Sequence, residues 1–126
     1  MHEPRRRYTF GKSEKLCLKN QIELLFREGH WLRGNTLRLV YKHLPAKEPS
    51  PPQILVSVSK KYFRNATDRN LLKRRIREAY RLNKHLVANV SENKEALLMI
   101  GFVYASDAKV SYAKIEQDMI SMLTIL

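Results

Sequence analysis

A helical segment with two unlike sides lies near the middle of this sequence. From about Arg69 to Val87 the chain contains no glycine or proline, and Thr67 or Asp68 is a suitable N-cap. With about 100° between successive residues, one side of this helix is apolar and the other is polar and cationic. The apolar side holds Leu72, Ile76, Ala79, Tyr80, Leu86 and Val87. The polar stripe holds Asn70, Lys73, Arg74, Arg77, Arg81 and Lys84. The segment therefore predicts a helix that packs on a core through one side and presents cations on the other.

The excess positive charge is concentrated around this helix. The chain carries 24 Lys and Arg against 12 acidic residues, a net charge of +12. Residues 60–84 hold ten Lys or Arg and two acids, residues 1–20 hold six and two, and the remainder is balanced. Like charges at i, i+4 repel, so the cationic stripe favours a polyanionic partner. The apolar side is needed for the core, which favours nucleic acid over a membrane surface, and arginine forks match phosphate oxygens.

The rest of the chain predicts an α+β fold with a single central sheet packed by helices. A short helix is predicted between an Asn20 cap, with Glu23 as its capping-box partner, and Gly29, where it ends. A last helix is predicted from Tyr112, behind a Ser111 cap. Strands are predicted at residues 36–42, 54–60 and 97–105, with one further strand possible before the basic helix, and a proline-rich linker at 45–52. We expect one domain over residues 1–126, of which residues 1–12 form a flexible basic tail.

Several classes of protein are disfavoured. A single cysteine, Cys17, excludes an internal disulfide framework and a cysteine-rich zinc site. No apolar run approaches the roughly 18 residues of a membrane span, and no signal peptide is recognised, which predicts a soluble intracellular protein. The four histidines have no metal-ligand spacing and the acidic residues form no pair suited to two-metal chemistry. We expect no catalytic residue and no metal site in the polypeptide.

Two stretches resemble a known family. Residues Val56–Lys61 read as a serine-bearing strand that ends in paired lysines, and Arg69–Tyr80 contains the pattern Arg-Asn-x-x-Lys-Arg-x-x-Arg. Together they are similar to the protein subunit of bacterial ribonuclease P, over essentially the whole chain. The chain departs from the family pattern at Leu71, where an arginine is usual, at Tyr104, where a basic residue is frequent, and at Ile22, where an aromatic is expected.

The resemblance implies a ribonuclease P protein-like sandwich with a left-handed βαβ crossover through the basic helix. It implies a cytoplasmic RNA-binding subunit, one per catalytic RNA, that assists endonucleolytic removal of the 5′ leader from precursor tRNA. Cleavage would be carried out by the RNA with Mg²⁺. The residues expected to bind the catalytic RNA are Lys60, Lys61, Arg69, Asn70, Lys73, Arg74, Arg75, Arg77 and Arg81. The residues expected in a cleft for the single-stranded leader are Ile22, Phe26, Tyr41, Ser57 and Ser59.

Two alternatives belong to other classes. The chain would also suit a small basic ribosomal or other structural RNA-binding protein with no part in cleavage. A protein nuclease is disfavoured because it needs a general base, a metal cage or an activated nucleophile, and the sequence offers none in a recognisable arrangement.

Overall fold

A computed structural model describes residues 19–45, 50–87 and 96–126. The predicted tail at residues 1–12 and part of the proline-rich linker lie outside the described residues. The elements, in chain order, are α1 (Lys19–Glu28), β1 (His30–Arg33), β2 (Leu37–Pro45), β3 (Gln53–Ser57), α2 (Ala66–Asn83), which runs on into a 3-10 turn (Lys84–Val87), β4 (Ala96–Tyr104) and α3 (Tyr112–Leu123).

The four strands form one mixed sheet in the order β1-β2-β4-β3. β1 pairs with β2 and β2 with β4, both antiparallel, whereas β3 and β4 are parallel neighbours joined through α2. The further strand allowed for in the sequence is therefore present, and the predicted α+β class is confirmed. The left-handedness of the crossover stays a prediction.

One side of the sheet, here called the closed face, is covered by α2 and α3. Because side chains alternate along a strand, Ile54 and Val56 of β3 both point to this face. The apolar stripe of α2 packs against them, and Leu72, Ile76 and Tyr80 are fully buried. Burial of an extended apolar cluster is the main favourable contribution to folding, so this face supplies most of the stability.

The other side of the sheet, here called the α1 face, is covered by α1 in the part of the chain that the structure describes. Its buried centre consists of Leu25, Val40 and Met99, with Ile22 and Phe26 packed around it, so these three α1 residues share one side of the helix. Gly101 allows this close approach, because a Cβ there would lie 3.0 Å from Val40 Cγ1 and 3.3 Å from Leu25 Cδ2.

The helix caps differ in part from the sequence prediction. α2 begins at Ala66, and its cap is Asn65, whose Oδ1 accepts from Thr67 N–H at 2.9 Å. The prediction of Thr67 or Asp68 was wrong because Asn65 reaches the first turn earlier. Asn20 lies inside α1 instead of capping it. Ser111 caps α3 as predicted, with its side chain accepting from Lys114 N–H.

The strand limits also shift. β3 ends at Ser57 and not at Lys60, because the chain turns there: Ser59 Oγ accepts from Lys61 N–H at 3.0 Å, and Ser59 O accepts from Phe63 N–H. β2 extends to Pro45, since its register with β4 continues as far as Ala96.

A buried carboxylate joins α3 to the connection between β1 and β2. Asp118 is 8% exposed, and its Oδ2 accepts from Thr36 Oγ1 at 2.8 Å and from the N–H groups of Thr36 and Leu37. Gly34 lies against the same carboxylate, where a Cβ would come within 2.9 Å of it. Asp118 therefore fixes the turn that sets β1 beside β2.

Candidate nucleic-acid interface

The outer side of α2 is a cationic surface formed by residues without internal partners. Asn70, Arg74 and Arg77 are exposed and Lys73 is half-buried. Within the described part of the chain, none of the four makes a side-chain hydrogen bond or an ion pair. Neighbouring cations on one helix side repel each other, so this arrangement is suited to an anionic ligand.

Three other arginines from the predicted set are engaged within the protein. Arg69 Nη1 donates to the carbonyls of Phe63 and Arg64 at 2.8 and 2.9 Å, and so holds the loop before the helix. Arg75 Nη1 donates to Val110 O at 2.7 Å. These two side chains stabilise the surroundings of α2 as well as adding positive charge.

Arg81 forms a bidentate ion pair with Glu78 on the surface of α2. Its Nε and Nη2 donate to the two carboxylate oxygens of Glu78 at 2.9 and 2.6 Å. The hydrogen bond from Arg81 lowers the pKa of Glu78 from its ordinary value, and the same bond raises the pKa of Arg81. Arg81 is thus less available to an external phosphate than Arg74 or Arg77.

The loop before α2 extends the cationic surface. Lys60 and Lys61 are exposed there, and Lys61 Nζ lies 5.9 Å from the centre of the Tyr62 ring, which is 55% exposed. At the start of the helix, Asp68 forms an ion pair with Lys109 at 3.0 Å.

Among the three departures from the family pattern, Tyr104 has a visible structural role. Leu71 is half-buried on α2, and Ile22 packs beside the buried centre of the α1 face. The Tyr104 hydroxyl accepts from Val110 N–H at 3.0 Å and donates to Ala108 O. It holds the 105–110 loop, which Arg75 also contacts, against the start of α2.

The structure brings together only part of the predicted leader cleft. Ile22 and Phe26 lie on the α1 face, and Ser57 points to the same side of the sheet because it shares a register position with Val103. Ser59 follows in the turn beyond β3. These four residues follow a path from α1 across the sheet towards the cationic loop.

Tyr41 does not lie with them. It pairs in register with His30, packs against the cluster of the closed face, and its ring lies 5.5 Å from the His30 ring. The neighbouring Val40 occupies the α1 face instead. At Leu39 and Val40 both sides of β2 are buried, so the apolar run does not reveal from sequence which of its residues face α1.

The sheet beyond α1 carries cations that the sequence did not single out. Arg33 of β1 and Arg38 of β2 are register partners, both exposed and both on the α1 face. Arg38 and Val40 are two residues apart on β2 and therefore share one side of the sheet, which the sequence alone can indicate. The pairing of Arg38 with Arg33 cannot be predicted without knowledge of β1. Trp31 lies next to them, 47% exposed, with its ring 5.8 Å from that of Phe26.

Residues 19–45, 50–87 and 96–126 contain no group of three or more potential metal ligands. No helix of the described chain combines the length and apolar character needed to cross a membrane.

Comparison with known proteins points to one family. The sequence model of the Ribonuclease P family matches residues 10–126. A ribonuclease P protein component of Porphyromonas gingivalis is 41% identical over 113 residues, covering 88% of this chain and 82% of that protein. A ribonuclease P protein component of Chlorobaculum tepidum is 33% identical over 97 residues, covering 71% of this chain and 63% of that protein.

Solved structures show the same fold. The ribonuclease P protein of Staphylococcus aureus superimposes with a TM-score of 0.70 at 23% identity, covering 90% of this chain and 95% of that one. The protein from Thermotoga maritima gives a TM-score of 0.68 at 23% identity, with coverages of 90% and 97%.

Proposed function

Since this chain belongs to the ribonuclease P protein family, and is thus an RNA-binding subunit of the endoribonuclease that matures the 5′ ends of tRNA, we propose that it docks on the catalytic RNA through the outer side of α2. The observation that carries this proposal is the set of three cations, Lys73, Arg74 and Arg77, that have no internal partner among the described residues. Phosphate groups of RNA would relieve their mutual repulsion. The match to this family favours this function over that of a ribosomal structural protein.

The predicted RNA-binding set divides into two roles in this proposal. Asn70, Lys73, Arg74 and Arg77 contact the RNA directly, together with Lys60 and Lys61 of the loop. Arg69, Arg75 and Arg81 primarily hold the protein in the shape that presents them, because each already donates to a carbonyl or a carboxylate.

The α1 face receives the single-stranded leader in this proposal. Single strands bind by stacking of bases on aromatic rings within a positive groove. The partly buried ring of Phe26 and the polar Ser57 and Ser59 provide a stacking position and hydrogen-bond partners along one path. Tyr41 is left out because it lies on the closed face.

The chemistry of cleavage belongs to the RNA in this proposal, with Mg²⁺ bound through the RNA subunit. The protein contributes binding energy and orientation, and one copy serves one RNA. The protein acts in the cytoplasm in this proposal. The whole chain forms one domain.

Neutral substitution of the three unpartnered cations tests the docking surface. The combined variant Lys73→Gln, Arg74→Gln, Arg77→Gln should lose affinity for the catalytic RNA, and its salt slope should become shallower by about one for each lost phosphate contact. Each surface substitution should change the free energy of unfolding by no more than about 0.5 kcal/mol. Thermal melting and RNA titration at several salt concentrations measure both quantities.

A charge-matched control separates the surface from net charge. Lys19→Gln, Arg27→Gln, Lys114→Gln removes the same charge from exposed positions on α1 and α3 and should bind RNA more tightly than the α2 variant. An α2 variant that melts normally and binds the catalytic RNA at parental strength would show that α2 is not the docking surface.

A further inference from the structure

We propose that Trp31, Arg33 and Arg38 form an additional nucleotide-binding position beyond the edge of α1, with one backbone phosphate held between the two arginines and the adjoining base stacked on Trp31. This inference rests on the proposed leader function of the α1 face and adds to it a specific binding position for one nucleotide of the leader.

The first observation is an uncompensated pair of like charges. Arg33 and Arg38 lie directly opposite each other on antiparallel strands, an arrangement that is destabilising for like charges. In the three described ranges, neither side chain forms an ion pair or a side-chain hydrogen bond. Asp107 lines a neighbouring groove that Arg38 also borders, yet it does not come within ion-pair distance of the arginine.

The second observation is that the pair borders an open groove. A space of about 470 Å³ is lined by Trp31, Leu32, Arg33 and Arg38. α1 covers the sheet only as far as the level of Val40 and Gly101, and the next register level, with Arg33 and Arg38, is left exposed. Two guanidinium forks on adjacent strands at this level can hold one phosphate from both sides.

The third observation is that an aromatic side chain, Trp31, lies about one nucleotide's length from the arginine pair. Trp31 lies two residues from Arg33 on the same strand, roughly 6.6 Å along it, and two residues apart means the same face. Its ring is 47% exposed and contacts Phe26 at 5.8 Å between ring centres. An extended nucleotide can place its base on the Trp31 ring while its phosphate lies between the arginines.

These features favour a single strand over a duplex as the occupant. A duplex offers its phosphates but not the faces of its bases, whereas an exposed indole beside a phosphate position uses both parts of an unpaired nucleotide. Since Phe26 and Trp31 are neighbours, the position continues the proposed leader path directly.

The test uses the holoenzyme reconstituted from the catalytic RNA and the double variant Arg33→Gln, Arg38→Gln. Precursor tRNAs with leaders of increasing length are compared with mature tRNA. Affinity for leaders long enough to reach the groove should fall by about tenfold, and the salt slope should become shallower by about 0.7 for one single-strand phosphate. Mature tRNA should bind as before.

Two further measurements separate binding from structure. Because the substitutions remove a repulsion, the double variant should melt at the parental temperature or slightly above it. Trp31→Ala should also weaken binding of the leaders that are long enough to reach the groove, but it should leave the salt slope unchanged. The control variant Arg27→Gln, Lys114→Gln should bind these leaders with the affinity of the parent.

The outcomes distinguish a failure of the arginine position from a failure of the leader function. If the parent holoenzyme distinguishes precursor from mature tRNA and the double variant does so equally well, the arginine position is wrong while the leader function stands. If the parent shows no dependence on the leader, the leader function itself fails. A lower melting temperature of the double variant, or equal weakening of mature tRNA, would assign the two arginines to the fold or to the catalytic RNA instead.

Discussion

The two faces of the sheet are built differently although they share the same strands. Among the residues that the structure describes, the cluster on the closed face contains eighteen buried residues drawn from the sheet, α2, α3 and the segments beside α2, whereas the buried centre of the α1 face contains three. The closed face therefore carries the stability of the fold, and the α1 face keeps part of the sheet accessible. Separation of the two tasks means that a binding surface can vary without loss of the core.

Adjacent leucines of β4 test this difference most strongly. Leu98 points to the closed face and is 1% exposed, while Leu97 is half-buried on the α1 face. Leu98→Ala should lower the free energy of unfolding by roughly 3 kcal/mol, within the range for buried leucines, and Leu97→Ala by about 1 kcal/mol. Urea denaturation of the two variants measures the difference, and equal losses would contradict the division between the faces.

The Asp118 anchor provides the next largest effect. Asp118→Ala removes the acceptor for Thr36 and for the Leu37 N–H, so buried donors lose their partner and stability should fall by roughly 2 kcal/mol. Asp118→Asn keeps one acceptor oxygen and should lose less. Denaturation curves of both variants check this order, and equal losses in the two neutral variants would show that the negative charge, and not the hydrogen bonds, is the stabilising feature.

Substitution of two neighbouring residues of α1 separates the effect on stability from the effect on binding at the α1 face. Leu25 is fully buried, whereas Phe26 is partly exposed beside Trp31. Phe26→Ala should weaken binding of precursor tRNA to the holoenzyme by roughly 1–3 kcal/mol, the value of one lost stack, and should leave mature tRNA unaffected. Leu25→Ala should mainly lower the melting temperature. Weakening of both substrates by Phe26→Ala would assign this ring to the core alone.

The smallest effect is expected at the exposed Glu78–Arg81 pair. The hydrogen bond from Arg81 lowers the pKa of Glu78 in the folded state, so its contribution to stability is present above the unfolded pKa and is lost as the pH falls through the folded pKa. Glu78→Gln should therefore melt slightly below the parent at neutral pH and equally in acid. The difference is small because exposed ion pairs contribute little. A difference that grows in acid would contradict the sign.

Sequence reasoning predicted the elements best where one periodic pattern dominates. The stripe of Leu72, Ile76 and Tyr80 gave the orientation of α2 because helical periodicity is read over many residues. It did not place Tyr41, since β2 is buried on both sides at the preceding Leu39 and Val40 and its alternation is masked there. The pairing of Arg33 with Arg38 depends on a four-residue edge strand, which is too short for a periodic signal.

The cap of α2 shows a different limit. Asn65, Thr67 and Asp68 are all residues that favour a helix start, and the choice among them depends on the turn at Ser59 to Phe63 and on the Lys109 partner of Asp68. These contacts join parts of the chain that are distant in sequence, so local propensity alone does not rank the candidates.

The position of α2 between β3 and β4 ties the cationic surface to a strand pairing between parts of the chain that are distant in sequence. These strands are parallel neighbours, so their ladder closes a loop of about forty residues that contains the whole helix, and closing such a loop costs entropy before the contacts form. The cationic surface rests on the complete sheet only when this non-local pairing has been made. A polyanion that binds α2 in the native state would therefore stabilise the β3–β4 pairing by mass action, and an RNA docked there would act as a folding partner of the sheet on which the helix rests.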